Sequence, residues 1–154
     1  MEIRKFKQSD LKETAKLISE TFKKFNIKEG TKKGVRDYIE FYNPKKNINK
    51  IKKSFSKSPI FFISVNKNKI VGMIRGKKNR IGNLFVEGRY HNKKIGKRLL
   101  ERFEKEAKKQ GSKEIKVRAS LYSTPFYQRA GYKKTTGIKN MKEIKVQPMI
   151  KKLK

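Results

Sequence analysis

A chain of 154 residues is long enough for one domain with a proper core, and residues 1–154 read as a single domain. The absence of cysteine excludes a disulfide framework, thiolate chemistry and a Cys-linked covalent intermediate. Lysine and arginine number 44 against 13 acidic residues, a formal charge of +31, so the surface attracts polyanions and salt-sensitive, nonspecific adhesion to nucleic acid is expected.

No window approaches the length of a transmembrane helix, and the N-terminus is charged rather than signal-like. The expectation is a soluble cytoplasmic protein with no membrane partner. The basic residues are spread almost evenly and are gathered into no recognisable RNA-binding motif, so charge alone identifies no partner.

Residues 2–7 are a short strand candidate. Ser9 and Asp10 then offer caps for a helix, with Glu13 spaced three after Asp10 as in a capping box. Leu11, Ala15, Ile18, Phe22 and Phe25 form its apolar stripe, and Gly30 ends that region. Val35, Tyr38, Ile39 and Tyr42 fit a short amphipathic helix stopped near Asn43-Pro44. Ile48, Ile51 and Phe55 fit another, stopped before Pro59.

The apolar run 60–65 is consistent with a buried strand, and 70–75 follows it across an Asn-Lys-Asn-Lys turn as a hairpin. A third strand, 81–86, comes after a second turn. Ile95, Leu99, Phe103 and Ala107 recur every fourth residue, which predicts a long helix. Glu101 and Glu104 are spaced to pair with Lys105 and Lys108, and Gly111 is placed as its C-cap. Ile115, Val117 and Ala119 alternate with polar residues, the period of a half-covered strand. A short helix starts near Pro125, and 132–135 and 144–153 close the chain as strands. Pro148 predicts an edge or a bulge in the last of them. The packing that fits these elements is an α/β fold, a mixed sheet flanked by helices on both faces.

The stretch 91–100 combines a basic loop with the start of the long helix, directly after the apolar run Leu84, Phe85, Val86. The first helical N–H groups have no partner inside the helix, and that end carries partial positive charge. A phosphate fits there, and the cationic side chains of the loop favour it. Read from the residues alone, the stretch fits either a phosphate site or an ordinary amphipathic helix with a solvated basic start.

The run Leu84-Phe85-Val86, then His91-Asn92-Lys93-Lys94-Ile95-Gly96, then Ser120 and the block Phe126-Tyr127-Gln128-Arg129-Ala130-Gly131-Tyr132 resemble the GNAT superfamily of N-acetyltransferases. The family carries Gln/Arg-x-x-Gly-x-Gly/Ala at the start of the long helix and Phe-Tyr-x-x-x-Gly-Phe/Tyr after the next strand. The resemblance covers essentially the whole chain and implies a GNAT-like acyl-CoA N-acyltransferase fold with acetyl-coenzyme A as cosubstrate.

It also implies roles. Backbone N–H groups of Asn92, Lys93, Lys94, Ile95, Gly96 and Lys97 would hold the pyrophosphate, and His91, at the head of the motif, is counted with the cofactor-binding residues. Leu84, Phe85 and Val86 would splay from the neighbouring strand and pair with the pantetheine arm. Ser120 takes the place of a cofactor-contacting Asn, and Phe126 lies beside it in the second signature. Tyr127 matches the tyrosine that protonates the departing thiolate; read without the family it is an aromatic core residue. No metal is implied.

Three departures stand out. Lys94 replaces the first motif glycine, giving up conformational freedom and adding a charge. His91 stands at the Gln/Arg position, where it is either a hydrogen-bond donor to the cofactor or a surface-loop histidine. No general base is evident: Glu87 is the acidic residue nearest the expected centre, either a base or a solvated carboxylate, and a water chain or direct attack by the neutral amine is equally open.

The expected activity is N-acetylation of an unidentified primary amine, by direct attack in a ternary complex, in a monomer or homodimer. The alternatives are a basic nucleic-acid- or ribosome-associated binding module and a non-catalytic acyl-CoA-binding GNAT fold.

Overall fold

The computed structural model describes residues 1–91 and 93–154. Eight strands and five α-helices follow one another as β1 (Glu2–Lys5), α1 (Leu11–Phe25), α2 (Lys32–Phe41), α3 (Pro44–Phe55), β2 (Ile60–Asn66), β3 (Lys69–Lys77), β4 (Arg80–Val86), α4 (Ile95–Lys109), β5 (Glu114–Ser120), α5 (Thr124–Arg129), β6 (Lys133–Lys134), β7 (Lys139–Met141) and β8 (Ile144–Lys152). The sheet runs β1-β2-β3-β4-β5-β8-β6, with β7 also on β8. All pairs are antiparallel except β4 with β5. The predicted α/β architecture is the observed one.

The central strands β2 and β3 are buried along most of their length and covered on both faces. On one face α4 lays Ile95, Leu99, Phe103 and Ala107 over Phe62, Val71 and Ile74. On the other, α1 and α3 bury Leu11, Ala15, Ile18, Ile51 and Phe55 against Phe61, Ile63 and Met73. The helical stripes read from the sequence are thus the two core faces of one sheet.

Several local expectations change. Asp10 and Glu13 do not form the anticipated box at the start of α1. Asp10 accepts from the Lys7 N–H at 2.8 Å and pairs with Arg4, while Glu13 accepts from the Ile70 N–H at 2.7 Å. Glu104 is drawn away from Lys108 by Tyr132 and Lys151, which lie 2.8 and 3.1 Å from its carboxylate. Gly111 does cap α4, at φ +90°. The short strand β7 has no signal in the sequence pattern.

Pro148 sits in a strand with partners on both sides, not at an edge. Its carbonyl accepts from the Thr135 N–H, so its ring nitrogen faces the same outer side. There it falls between the stretches of β8 that pair with β6 and β7, where no ladder bond needs a donor.

The feature that positions the site is the β4–β5 junction. Only Arg80 with Lys116 and Ile81 with Val117 are paired. A register shift on the β3 side leaves Gly82 extra on β4, and beyond it the strand stays with β3 as far as Val86. Meanwhile β5 continues along β8 to Ser120. The two strands therefore splay, and one edge of residues 82–86 has no strand partner.

Glu29, buried in the connection from α1 to α2, ties the far side of this opening. Its carboxylate accepts from the N–H groups of Leu121 and Tyr122 at 3.2 and 2.9 Å, and from Asn26 Nδ2 at 3.1 Å. Replacing Glu29 with Ala strands those donors and is expected to cost about 2 kcal/mol, read as a shift in the urea midpoint at constant slope.

Candidate active site

The splay opens into a cleft of about 820 Å³ that passes from one face of the sheet to the other. On the α4 face it is lined by Lys94, Ile95, Gly96, Lys97, Leu100 and Phe126. On the α1 face it is lined by Thr21, Phe25, Asn26 and Phe85. Leu84 and Val86 face the α4 core while Phe85 faces α1, the alternation of a strand seen from its free edge.

The helix entrance is built to receive an anion. Lys94 is the N-cap of α4 and adopts a left-handed conformation at φ 62°, and among the described residues no side chain caps the helix. The N–H groups of Ile95, Gly96 and Lys97 lie in the first turn, before any intrahelical acceptor is available. Lys93, Lys94 and Lys97 are exposed around them. A Cβ on Gly96 would approach the Phe126 ring at 3.3 Å, so the glycine lets α5 close against the helix start.

Lys94 keeps the backbone shape for which the motif normally supplies glycine. A Cβ in that region costs roughly 1–2 kcal/mol. The charge next to the helix terminus is what the substitution adds.

His91 is not left free to face a ligand. Its Nε2 lies 2.7 Å from the Val86 carbonyl oxygen and its Nδ1 3.3 Å from the Tyr122 hydroxyl. The tautomer protonated at Nε2 satisfies both, donating to Val86 and accepting from Tyr122. The ring also packs on Phe25, with centroids 4.6 Å apart. Ser120 lines the cleft, but its hydroxyl is occupied by Ser123, 2.8 Å away, in the turn before α5.

Tyr127 lies in the core beneath the cleft, edge-on to both Phe126 and Tyr132. Burial, with the nearby Glu104 charge adding, raises its phenol above the ordinary value, so it stays protonated at neutral pH. Glu87 points elsewhere. Burial alone would raise its carboxyl, but hydrogen bonds from Arg89 and Lys69 outweigh that and hold it below the usual range. A carboxylate so paired is a weak base.

The cleft thus gathers residues 84–86, His91, Lys94, Ile95, Gly96, Lys97, Ser120 and Phe126. Glu87, Lys93 and Tyr127 are not among the lining, and Asn92 lies outside the described residues. Sequence spacing places Phe25 only in the stripe of α1 and marks Asn26 and Tyr122 not at all, because the three meet only through the fold. A buried network behind β4 was equally silent: Arg75 donates to Asn83, Ser58 and Tyr42 at 2.6, 2.9 and 3.1 Å, all neutral acceptors. It pins the bulged part of β4 to the helices below.

The acetyltransferase (GNAT) domain model matches residues 26–153. The chain belongs to this GNAT acetyltransferase family. Solved structures agree with that membership in fold. A GCN5-related N-acetyltransferase from Rhodopseudomonas palustris superposes with a TM-score of 0.86 at 18% identity, covering 99% of this chain and 95% of the other. The PaiA N-acetyltransferase from Thermoplasma acidophilum, solved with coenzyme A, gives 0.76 at 25% identity over 99% and 98%. An aminoglycoside 6'-N-acetyltransferase, also solved with coenzyme A, gives 0.63 at 18% identity over 99% and 97%. No curated protein matches the sequence.

Acetyl-coenzyme A is the cosubstrate of GNAT acetyltransferases. The residues of this GNAT chain fit it on three counts: an uncapped, lysine-ringed helix start for phosphate, a free strand edge for an amide-bearing arm, and a cleft that reaches through the sheet.

Two predictions concern this site. Lys94→Gly should be more stable than Lys94→Ala by about 1 kcal/mol, because alanine keeps the Cβ strain; chemical denaturation of the two variants compares them directly. Glu87→Gln should leave turnover near the wild-type value, whereas removal of a general base costs on the order of 100-fold or more; steady-state rates with the best available acceptor decide.

Proposed function

We propose that the chain transfers the acetyl group of acetyl-coenzyme A to a primary amine, directly, with both substrates bound together. The observation that carries this reading is the splayed β4 edge ending at an uncapped basic helix start, with the cleft open to both faces of the sheet. Two entrances meeting at one strand allow donor and acceptor to be held together. The donor's phosphates belong at the N–H groups of Ile95, Gly96 and Lys97, with Lys93, Lys94 and Lys97 neutralising their charge. Asn92 is assigned to the same loop from the sequence motif.

The bound cosubstrate supplies an activated acetyl thioester. In the run Leu84-Phe85-Val86, Leu84 and Val86 turn their backbone to the open edge while Phe85 between them bonds back to β3. That edge orients the arm, and the N–H groups of Leu84 and Val86 are the donors available to an oxygen that gains charge during transfer. Tyr127 is the proton source for the departing sulfur: its phenol is protonated at neutral pH, and a hydroxyl serves as an acid when within hydrogen-bond reach. The amine enters past Phe25, Asn26 and Phe85 and reacts in its neutral form, without a carboxylate base.

Tyr127→Phe should lower kcat by about 100-fold while the dissociation constant for coenzyme A, measured by calorimetry, stays near that of the wild type. Unchanged turnover removes Tyr127 from the mechanism and returns it to the core. Absence of saturable acetyl-coenzyme A binding at moderate salt overturns the acetyltransferase reading.

A further inference from the structure

The acceptor side of the cleft has a chemistry of its own. Its mouth is formed by three rings on three separate elements: Phe25 at the end of α1, His91 after β4 and Tyr122 after β5. Phe25 lies 4.6 Å from His91 and 5.1 Å from Tyr122, centroid to centroid, and Phe85 continues the apolar surface inward. Beside them stands a cation. The Lys24 ammonium is 5.5 Å from the Phe25 ring centre, and a Cβ on Gly88 would come within 3.0 Å of it, which places it over the segment that follows β4.

Among the described residues no carboxylate is ion-paired with Lys24: Glu20, one turn before it on α1, lies 3.8 Å from Lys16. Glu29 is the buried acid closest to this mouth, and both its oxygens are taken by Leu121, Tyr122 and Asn26. The acids that line the cleft, Glu101 and Glu104, are on α4, the opposite face, and Glu104 is held by Tyr132 and Lys151. Glu87 is held by Arg89 and Lys69.

We infer that the acceptor is an apolar or aromatic monoamine that carries a carboxylate, and not a polycation. This rests on the acetyltransferase reading and narrows its substrate class. The ring mouth takes the apolar body, and Lys24 takes the carboxylate. A second positive charge on the acceptor would meet Lys24 and the +31 field on the α1 side, where none of the lining residues is acidic. The same field disfavours the ammonium form of the reacting nitrogen, which helps a site without a base. In the transfer, the N–C bond of the amide forms and the thioester C–S bond breaks. Tyr127 gives its proton to the departing sulfur and is reprotonated by the one the attacking nitrogen loses, so atoms and charge balance with no further reactant.

The test uses the full chain, with acetyl-coenzyme A binding measured first and four acceptors compared at equal pH: L-phenylalanine, L-phenylalaninamide, spermidine and kanamycin. Phenylalanine is expected to exceed its amide, and to exceed spermidine and kanamycin by at least about tenfold in kcat/KM. The amide is the more deprotonated amine at a given pH, so its disadvantage would report the missing carboxylate. Lys24→Glu should lower kcat/KM for phenylalanine by about threefold or more and bring the two phenylalanine substrates level. Faster transfer to spermidine or kanamycin, an amide equal to phenylalanine, or saturable acetyl-coenzyme A binding with no transfer to any of the four overturns this inference alone. Loss of acetyl-coenzyme A binding itself overturns the acetyltransferase reading and this inference together.

Discussion

A strand that loses its neighbour must leave its backbone donors and acceptors for something else. In this chain β4 and β5 share only two residue pairs before they part, and everything of chemical interest lies where they part. The extra residue at Gly82 turns β4 away. The Arg75 network holds the turned strand from behind, and its buried guanidinium is satisfied wholly by neutral oxygens. Glu29 holds the opposite wall by two backbone N–H groups. The opening is thus braced on both sides by buried polar groups, whose geometry is specific because leaving any of them unmade is costly.

The braced opening sorts its two entrances by charge and shape. At one, helix α4 presents unpaired N–H groups and exposed lysines, a surface for phosphate. At the other, three rings line the approach from α1, with the Lys24 ammonium beside Phe25. His91 links the walls, with one ring nitrogen against the last carbonyl of β4 and the other against Tyr122. The motif position that suggested a cofactor donor has become a tie across the mouth.

Much of this was legible in the order of residues. Strands β2 and β3, the stripes of α1 and α4, the alternation in β5 and the left-handed cap at Gly111 all follow from periodicity and from residues with one dominant conformational preference. The helix start at Ile95 and the block 126–132 carried the family resemblance. Other features had no local signal. Glu104 sits four before Lys108, yet it binds Tyr132 and Lys151, because a partly buried carboxylate gains more from partners fixed by packing than from a solvated lysine. Asp10 and Glu13 have capping-box spacing, but each finds a donor outside the helix start.

The sequence by itself determined the element types, the central buried strands and the basic helix entrance, because these depend on side-chain period and on local backbone preference. That Lys94 keeps a left-handed backbone in place of the motif glycine was decided by the structure. Tertiary structure alone decided where β4 leaves β5, which acids remain available and which rings meet at the mouth. Those depend on contacts between residues as far apart as Glu29 and Tyr122, or Arg75 and Ser54. No spacing within one element encodes them.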